Sequence, residues 1–338
     1  MNPLTRQLRR IAGLSRNARL FLVMISISAL GDGVFMLLLN LFVLARGNDE
    51  AFLGLLLSTS SLTTLVFGLP MGILVDRMGR KRTMVLGSVL SVPGALLLTL
   101  SPVDWPLLVA AALFGLGNAL YMAAGPAFMA ENATEDERPT LFSLQSGLSL
   151  LMGFLGSVVG GSLPALFGAL LRVHPESVTA YRATLLTAEG MMAFALIPLL
   201  MIREERAQPA WERRPPLTLR DFPFRRDVVV LLVPELVIAL GAGLLIPYLN
   251  IFFKQRFPIS DSVLGLTFAV SQLLMGGATL LAPILADRWG KIRTVVFTQL
   301  ASLPFLLGLG FVPILPVAIG AFWLRAMLMN MAGPLYTA

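Results

Sequence analysis

The chain has no cysteine and, among its 338 residues, a single histidine, His174. Without cysteine it forms neither a disulfide framework nor a thiolate metal site. His174 lies in the polar break between Arg172 and Ser177. There it reads as a solvated loop residue, because placement inside a membrane is what makes a histidine suspect as a proton relay. Charge is also scarce: 13% of residues are charged, against about 25% in a soluble domain. No G-x-x-x-x-G-K-[ST] phosphate loop and no nucleophile elbow occurs, so the chain brings no ATPase or hydrolase chemistry of its own. The N-terminal arm carries Arg6, Arg9, Arg10, Arg16 and Arg19. The apolar run after it is longer than a signal-peptide core, and no A-x-A cleavage site follows, so this segment is expected to stay in the membrane.

What is abundant is apolar sequence, 56% of the chain. A membrane-spanning helix takes roughly 20 apolar residues, because every backbone N–H and C=O must be satisfied within the segment. Ten such spans are expected, at about 20–45, 52–75, 83–100, 106–130, 141–171, 181–202, 228–253, 262–286, 294–311 and 317–338. Basic residues gather on one side of them: the N-terminal arm, the second-to-third loop (Arg77, Arg80, Lys81, Arg82), the sixth-to-seventh loop and the eighth-to-ninth loop (Arg288, Lys291, Arg293). By the positive-inside rule the N-terminus is cytoplasmic. The net charge of +7 is then topological, and no nucleic-acid partner is expected. The proline- and arginine-rich stretch 203–227 reads as a cytoplasmic linker between a six-helix bundle, 1–202, and a second bundle, 228–338, of which four helices are present.

The chain repeats itself. The fifteen residues from Gly72 to Leu86 return from Pro283 to Phe297 with eight identities, both times as a polar hairpin between apolar runs. Gly31, Gly33, Leu39 and Asn40 pair with Gly241, Gly243, Leu249 and Asn250; Leu53-Gly54 pairs with Leu264-Gly265, and Ala124-Gly125-Pro126 with Ala332-Gly333-Pro334. The offset stays between 208 and 211. Six helices, an even number, separate the copies, so they cross the bilayer in the same direction, as parallel repeats about an axis along the membrane normal do.

The hairpin residues Gly72, Leu74, Asp76, Arg77, Gly79, Arg80 and Lys81 match G-x-L-x-D-R-x-G-R-K and resemble motif A of the major facilitator superfamily (MFS). The second copy at Asp287, Arg288, Gly290 and Lys291 is degenerate. The resemblance covers the whole chain and implies an all-α membrane protein of two bundles, a secondary transporter that alternates access around a central site. Members have twelve helices. With ten expected here, Ala338 aligning with Ala130, the second bundle is expected to be incomplete and the sequence truncated. An isolated chain of this length is then not expected to transport.

Gly72 and Gly79 would permit close helix approach and a tight turn, and Asp76 would face helix N-termini or the neighbouring arginines. The resemblance makes the hairpin a gate. Four ionisable residues fall inside expected spans: Asp32, Glu189, Glu235 and Arg325. Each needs a partner, a wet cavity or neutralisation. Asp32 lies about 18 Å along its helix from the cytoplasmic end and Arg325 about 12 Å from the external end of its own, depths that coincide in a core near 30 Å thick. The resemblance places Asp32, Glu235 and Arg325 on cavity-lining helices, as candidates for substrate or ion coupling. Asp32 is the favoured proton carrier, with Gly31 and Gly33 leaving its backbone open, whereas Glu189 is expected to serve helix packing. Met36, Tyr121, Met122, Tyr248 and Met327 would make an apolar site or plain packing. Two departures matter: Ala111 stands where proton-coupled members often have arginine, and Gly156-Ser157-Val-Val-Gly160-Gly161 matches antiporter motif C only with serine for proline.

The expected function is secondary active transport of a small molecule across the cytoplasmic membrane, coupled to protons or another ion, with efflux slightly favoured over uptake. A transport-dead sensor or a membrane subunit of the same fold is the alternative. Catalysis, cofactor and metal are not expected, and the protein is expected to work as a monomer in the bilayer.

Overall fold

A computed structural model of the chain describes residues 13–135, 137–203 and 226–331. The linker at 203–227, the arm with Arg6, Arg9 and Arg10, and the second Ala-Gly-Pro copy therefore lie wholly or largely outside the described residues. The first six spans form α1 (Arg16–Ala45), α2 (Glu50–Met78), α3 (Arg80–Leu100), α4 (Trp105–Glu131), α5 (Arg138–Leu171) and the pair α6 (Val178–Phe194) and α7 (Leu196–Met201). The seventh is α8 (Arg226–Leu245), a 3₁₀ turn (Ile246–Tyr248) and α9 (Leu249–Arg256); the rest are α10 (Asp261–Trp289), α11 (Lys291–Phe311) and α12 (Leu315–Asn330). Nine of these spans among the described residues are long and apolar enough to cross a membrane, and Leu315–Asn330 is shorter.

Helix ends follow local chemistry. Ser15, Asp49, Ser177 and Ser260 each accept a hydrogen bond from a backbone N–H in the first turn they precede. α4, α5 and α12 instead carry proline in the first turn, where a missing N–H costs little. Two expected single helices are interrupted. Pro247 sits in the 3₁₀ turn between α8 and α9, where the ring takes away a backbone donor, and α6 gives way to α7 at Ala195, three residues before Pro198.

α1 runs between α5 and α6, α4 packs on α2 and α3, and α10 packs on α12 and, across to the first half, on α5. The crossings are close because glycine backbones meet. A Cβ at Gly33 would sit 2.8 Å from Gly153 O and 3.0 Å from Gly156 Cα, and one at Gly161 would sit 2.9 Å from Gly265 Cα. α5 thus presents glycines to α1 on one side and to α10 on the other. The motif C-like run is the packing surface between three helices, as small-residue runs commonly are in membranes. The buried side chains are large and apolar, among them Phe21, Phe35, Phe42 and Phe253. Many exposed ones are Leu, Val and Ile, as lipid-facing surfaces require.

Candidate substrate cavity and its gates

Both D-R-x-G hairpins turn on glycine with a positive φ: Gly79 at φ 90° and ψ 156°, Gly290 at φ 82° and ψ 150°. An L-side chain is strained there, so the repeated glycine is explained by backbone conformation. These two turns mark one end of the molecule, called here the turn end. Asp76 finds its partner within the hairpin: Arg80 Nη1 lies 2.8 Å from Asp76 Oδ1, and Arg80 also reaches Val75 O and the Glu131 carboxylate at 3.0 Å. Arg80 thereby ties α2, α3 and the end of α4. In the second copy Asp287 and Lys291 form no such ion pair among the described residues. Gly72 departs from expectation: a Cβ there meets open space, so no helix approach depends on it.

At the opposite end the halves join. Asn40 Nδ2 donates to Pro247 O at 2.5 Å and to Asn250 Oδ1 at 2.9 Å, while Asn250 Nδ2 donates to Leu37 O at 2.8 Å. Leu37 and Pro247 have the same spacing as Asn40 and Asn250, so each half makes on the other the bond it receives. A reciprocal contact of this kind lies on a two-fold axis, as the parallel repeat requires. Around it, Lys254 binds Glu176 at 2.5 Å and Asp261 at 2.9 Å, the Tyr181 hydroxyl donates to Asp261 at 3.4 Å, and Gln255 donates to Glu50 at 2.8 Å. Further along, Gln272 of α10 donates to Ser157 of α5 at 3.0 Å.

Asp32, Met36 and Asn40 form one stripe at four-residue intervals along α1. Asn40 is buried in the seal, whereas Met36 is 57% exposed and Asp32 is exposed. The face of α1 that meets the second half at Asn40 therefore stands open about 12 Å further along, at Asp32. The Tyr121 hydroxyl of α4 is buried with no hydrogen-bond partner among the described residues. The neighbouring Met122 is exposed, as are Leu240 and Leu244 of α8. In the second half the repeat places Ala242, Ile246 and Asn250 on the equivalent stripe, so the acid comes from one half only.

Other sequence-based expectations fare differently. Gly31 and Gly33 do not leave the backbone of Asp32 open. A Cβ at Gly31 would meet Ala188 O of α6 at 2.9 Å, and Gly33 packs on α5. The acid is exposed because the helix packs through the residues on either side of it. Asp32 and Arg325 share no ion pair, and neither forms one with any described residue. Arg325 is buried on α12, which packs on α10 and α11. Glu235 lies on α8, with its side chain outside the described residues. Glu189 is fully buried and accepts a short hydrogen bond from the Thr99 hydroxyl, joining α6 to α3 as a packing residue would. The seal at Asn40 and Asn250 and the Lys254 network were missed in the sequence, although the identical asparagines at one repeat offset were a usable signal.

Two helical halves joined at one end by a reciprocal two-fold contact, with an exposed acid on the helix that makes it, make a multi-pass membrane transporter fold. The family model of the Major Facilitator Superfamily matches residues 21–338, and the chain belongs to that family of transporters. A bacterial homologue of the human lysosomal transporter Spinster, solved in an inward-facing and occupied conformation, superposes with a TM-score of 0.72 at 17% identity. The match covers 95% of this chain and 73% of that one. A D-xylose–proton symporter superposes at 0.61 with 14% identity, over 95% and 81%. Among curated proteins, the uncharacterized membrane protein YJR124C of Saccharomyces cerevisiae is 22% identical over 85% of this chain and 72% of its own length. The inner membrane transport protein YajR of Escherichia coli is 31% identical over 39% of this chain and 29% of its own.

Proposed function

We propose that the protein moves a small molecule across a cytoplasmic membrane by alternating access, coupled to protons or another cation through Asp32. The observation that carries this reading is the acid itself: it is exposed on the stripe of α1 that meets the second half at Asn40, and it has no ion pair among the described residues. A carboxyl at that depth requires a proton, a bound cation or water, and exchanging these as the cavity changes sides is what coupling needs. A similar fold in a D-xylose–proton symporter supports the proton as coupling ion. The glycine run that favoured efflux serves helix packing, and so the reading is of coupled transport in either direction.

The test uses the protein as its gene encodes it, in proteoliposomes with a pH-sensitive dye inside and a substrate found by thermal-shift screening. Asp32→Asn is expected to abolish substrate-driven proton movement while substrate exchange continues. Gradient-driven transport that survives in this variant overturns the assignment.

The basic loops support a cytoplasmic turn end. With no cysteine to remove, His174→Cys and Arg77→Cys can be compared directly. An impermeant thiol reagent applied to intact cells is expected to label only position 174; labelling only at position 77 reverses the orientation.

A further inference from the structure

At the turn end a groove of about 900 Å³ opens between the start of α3 and the end of α7. Its floor is fixed by Lys81, whose Nζ donates to Leu200 O at 2.9 Å, capping a carbonyl that the end of α7 leaves without a helical donor. Its mouth carries Arg82 and Arg203, both exposed and neither in an ion pair among the described residues. The backbone of Arg203 is held on both sides by Asn17, which accepts from its N–H at 3.1 Å and donates to its carbonyl at 2.7 Å. The second guanidinium therefore springs from a fixed point. Below the cations the lining turns apolar: Arg82, Val85 and Val89 follow one another at three- and four-residue steps on one face of α3, opposite Leu200. Val89 and Leu200 are half exposed.

We propose that this groove binds one anionic phospholipid of the leaflet at the turn end. Arg82 and Arg203 hold the phosphate, and Val85, Val89 and Leu200 bed an acyl chain. The order of chemistry along α3, cation first and apolar strip beneath, is that of a headgroup above its hydrocarbon. Guanidinium groups suit phosphate through paired N–H donors, and basic pockets between spans at a membrane surface are where lipid headgroups are recognised. A free phosphate ion would use the mouth and leave the apolar strip unused.

Native mass spectrometry of the detergent-purified protein with added dioleoylphosphatidylglycerol or dioleoylphosphatidylcholine tests this. The protein is expected to retain one phosphatidylglycerol in preference to phosphatidylcholine. The Arg82→Ala, Arg203→Ala double variant is expected to bind it about 30-fold more weakly, and lysine at both positions to restore most of the loss. Lys291→Ala with Arg293→Ala, two exposed cations at the same end of the second half, is the control and is expected to keep the lipid. Equal loss in both double variants would mean general surface charge and would overturn the site. So would equal retention of the two lipids, or competition by glycerol phosphate at the lipid's own concentration. Monodisperse elution of each variant separates lost binding from lost fold.

Discussion

Alanine at Gly156 is expected to destabilise the protein, while alanine at Gly147 on the same helix is expected to do no harm. At Gly147 an added Cβ meets nothing within 4 Å; at Gly156 it meets backbone, with Gly33 Cα at 3.0 Å and Leu30 C at 3.2 Å. Backbone cannot rotate aside as a side chain can, so α1 and α5 must separate along a crossing that both use to pack the core. Overpacking of this kind costs about 1–3 kcal/mol and sometimes more. Glycine-to-alanine in an unobstructed helix contributes about 0.4–1 kcal/mol in the other direction. The two variants should therefore move the melting temperature in opposite senses, and Gly156→Leu should leave little folded protein. A Gly156→Ala variant that melts with the parent would mean that the helices are not in contact there.

Lys254→Ala is expected to cost more than any change among the exposed charges. Its partner Glu176 is nearly half exposed, and a pair with such a group contributes about 0–1 kcal/mol. Asp261 is different: only 5% of its side chain is exposed, and its second carboxylate oxygen is buried with no hydrogen-bond partner among the described residues. Removing the ammonium leaves that charge buried and unpaired, a loss on the order of 3–5 kcal/mol. It also releases the bridge from the second half to Glu176 of the first. Adding Asp261→Asn to the Lys254→Ala background is expected to recover most of the stability, because the orphaned charge is then gone. The seal would still be weakened, and a cysteine at Asn40 should become reactive to a water-soluble thiol reagent in the double variant but not in its parent with Lys254 intact. A double variant no more stable than Lys254→Ala alone would show that Asp261 is not the group Lys254 compensates.

The repeat was the most legible part of the structure, and the reason is physical. A duplicated fold keeps its glycine turns and its axis contacts at a constant offset, so Gly79 and Gly290 share one conformation, and Asn40 and Asn250 meet. The apolar runs likewise located the spans, since length and hydropathy suffice to define a membrane helix. Depth along a helix proved a weaker guide. Asp32 and Arg325 lie at similar depths but are not paired, because rise per residue specifies one coordinate and leaves unspecified which way a side chain points. The glycines beside Asp32 show the same gap: sequence reveals that they are small, and only the packing reveals that α5 and α6 occupy the space. Lys254, Glu176 and Asp261 come from the two halves and read singly as ordinary surface charges, so nothing local marked them as a network. Glu131 was missed for a similar reason, since its partner Arg80 had an acid closer in sequence.

The bonds exchanged by Asn40 and Asn250 are those of a homodimer seam held inside one chain. Each half is, at this point, its own complement, so a change at either asparagine takes a bond away from the other half. Elsewhere the halves have diverged: the repeat equivalent of Asp32 is Ala242, and the ion pair of the first hairpin has no counterpart in the second among the described residues. Symmetry persists where the halves touch on the axis and is absent at these two places. An ancestor built from two identical subunits would have closed with the same pair of bonds, each asparagine reaching across to its own copy.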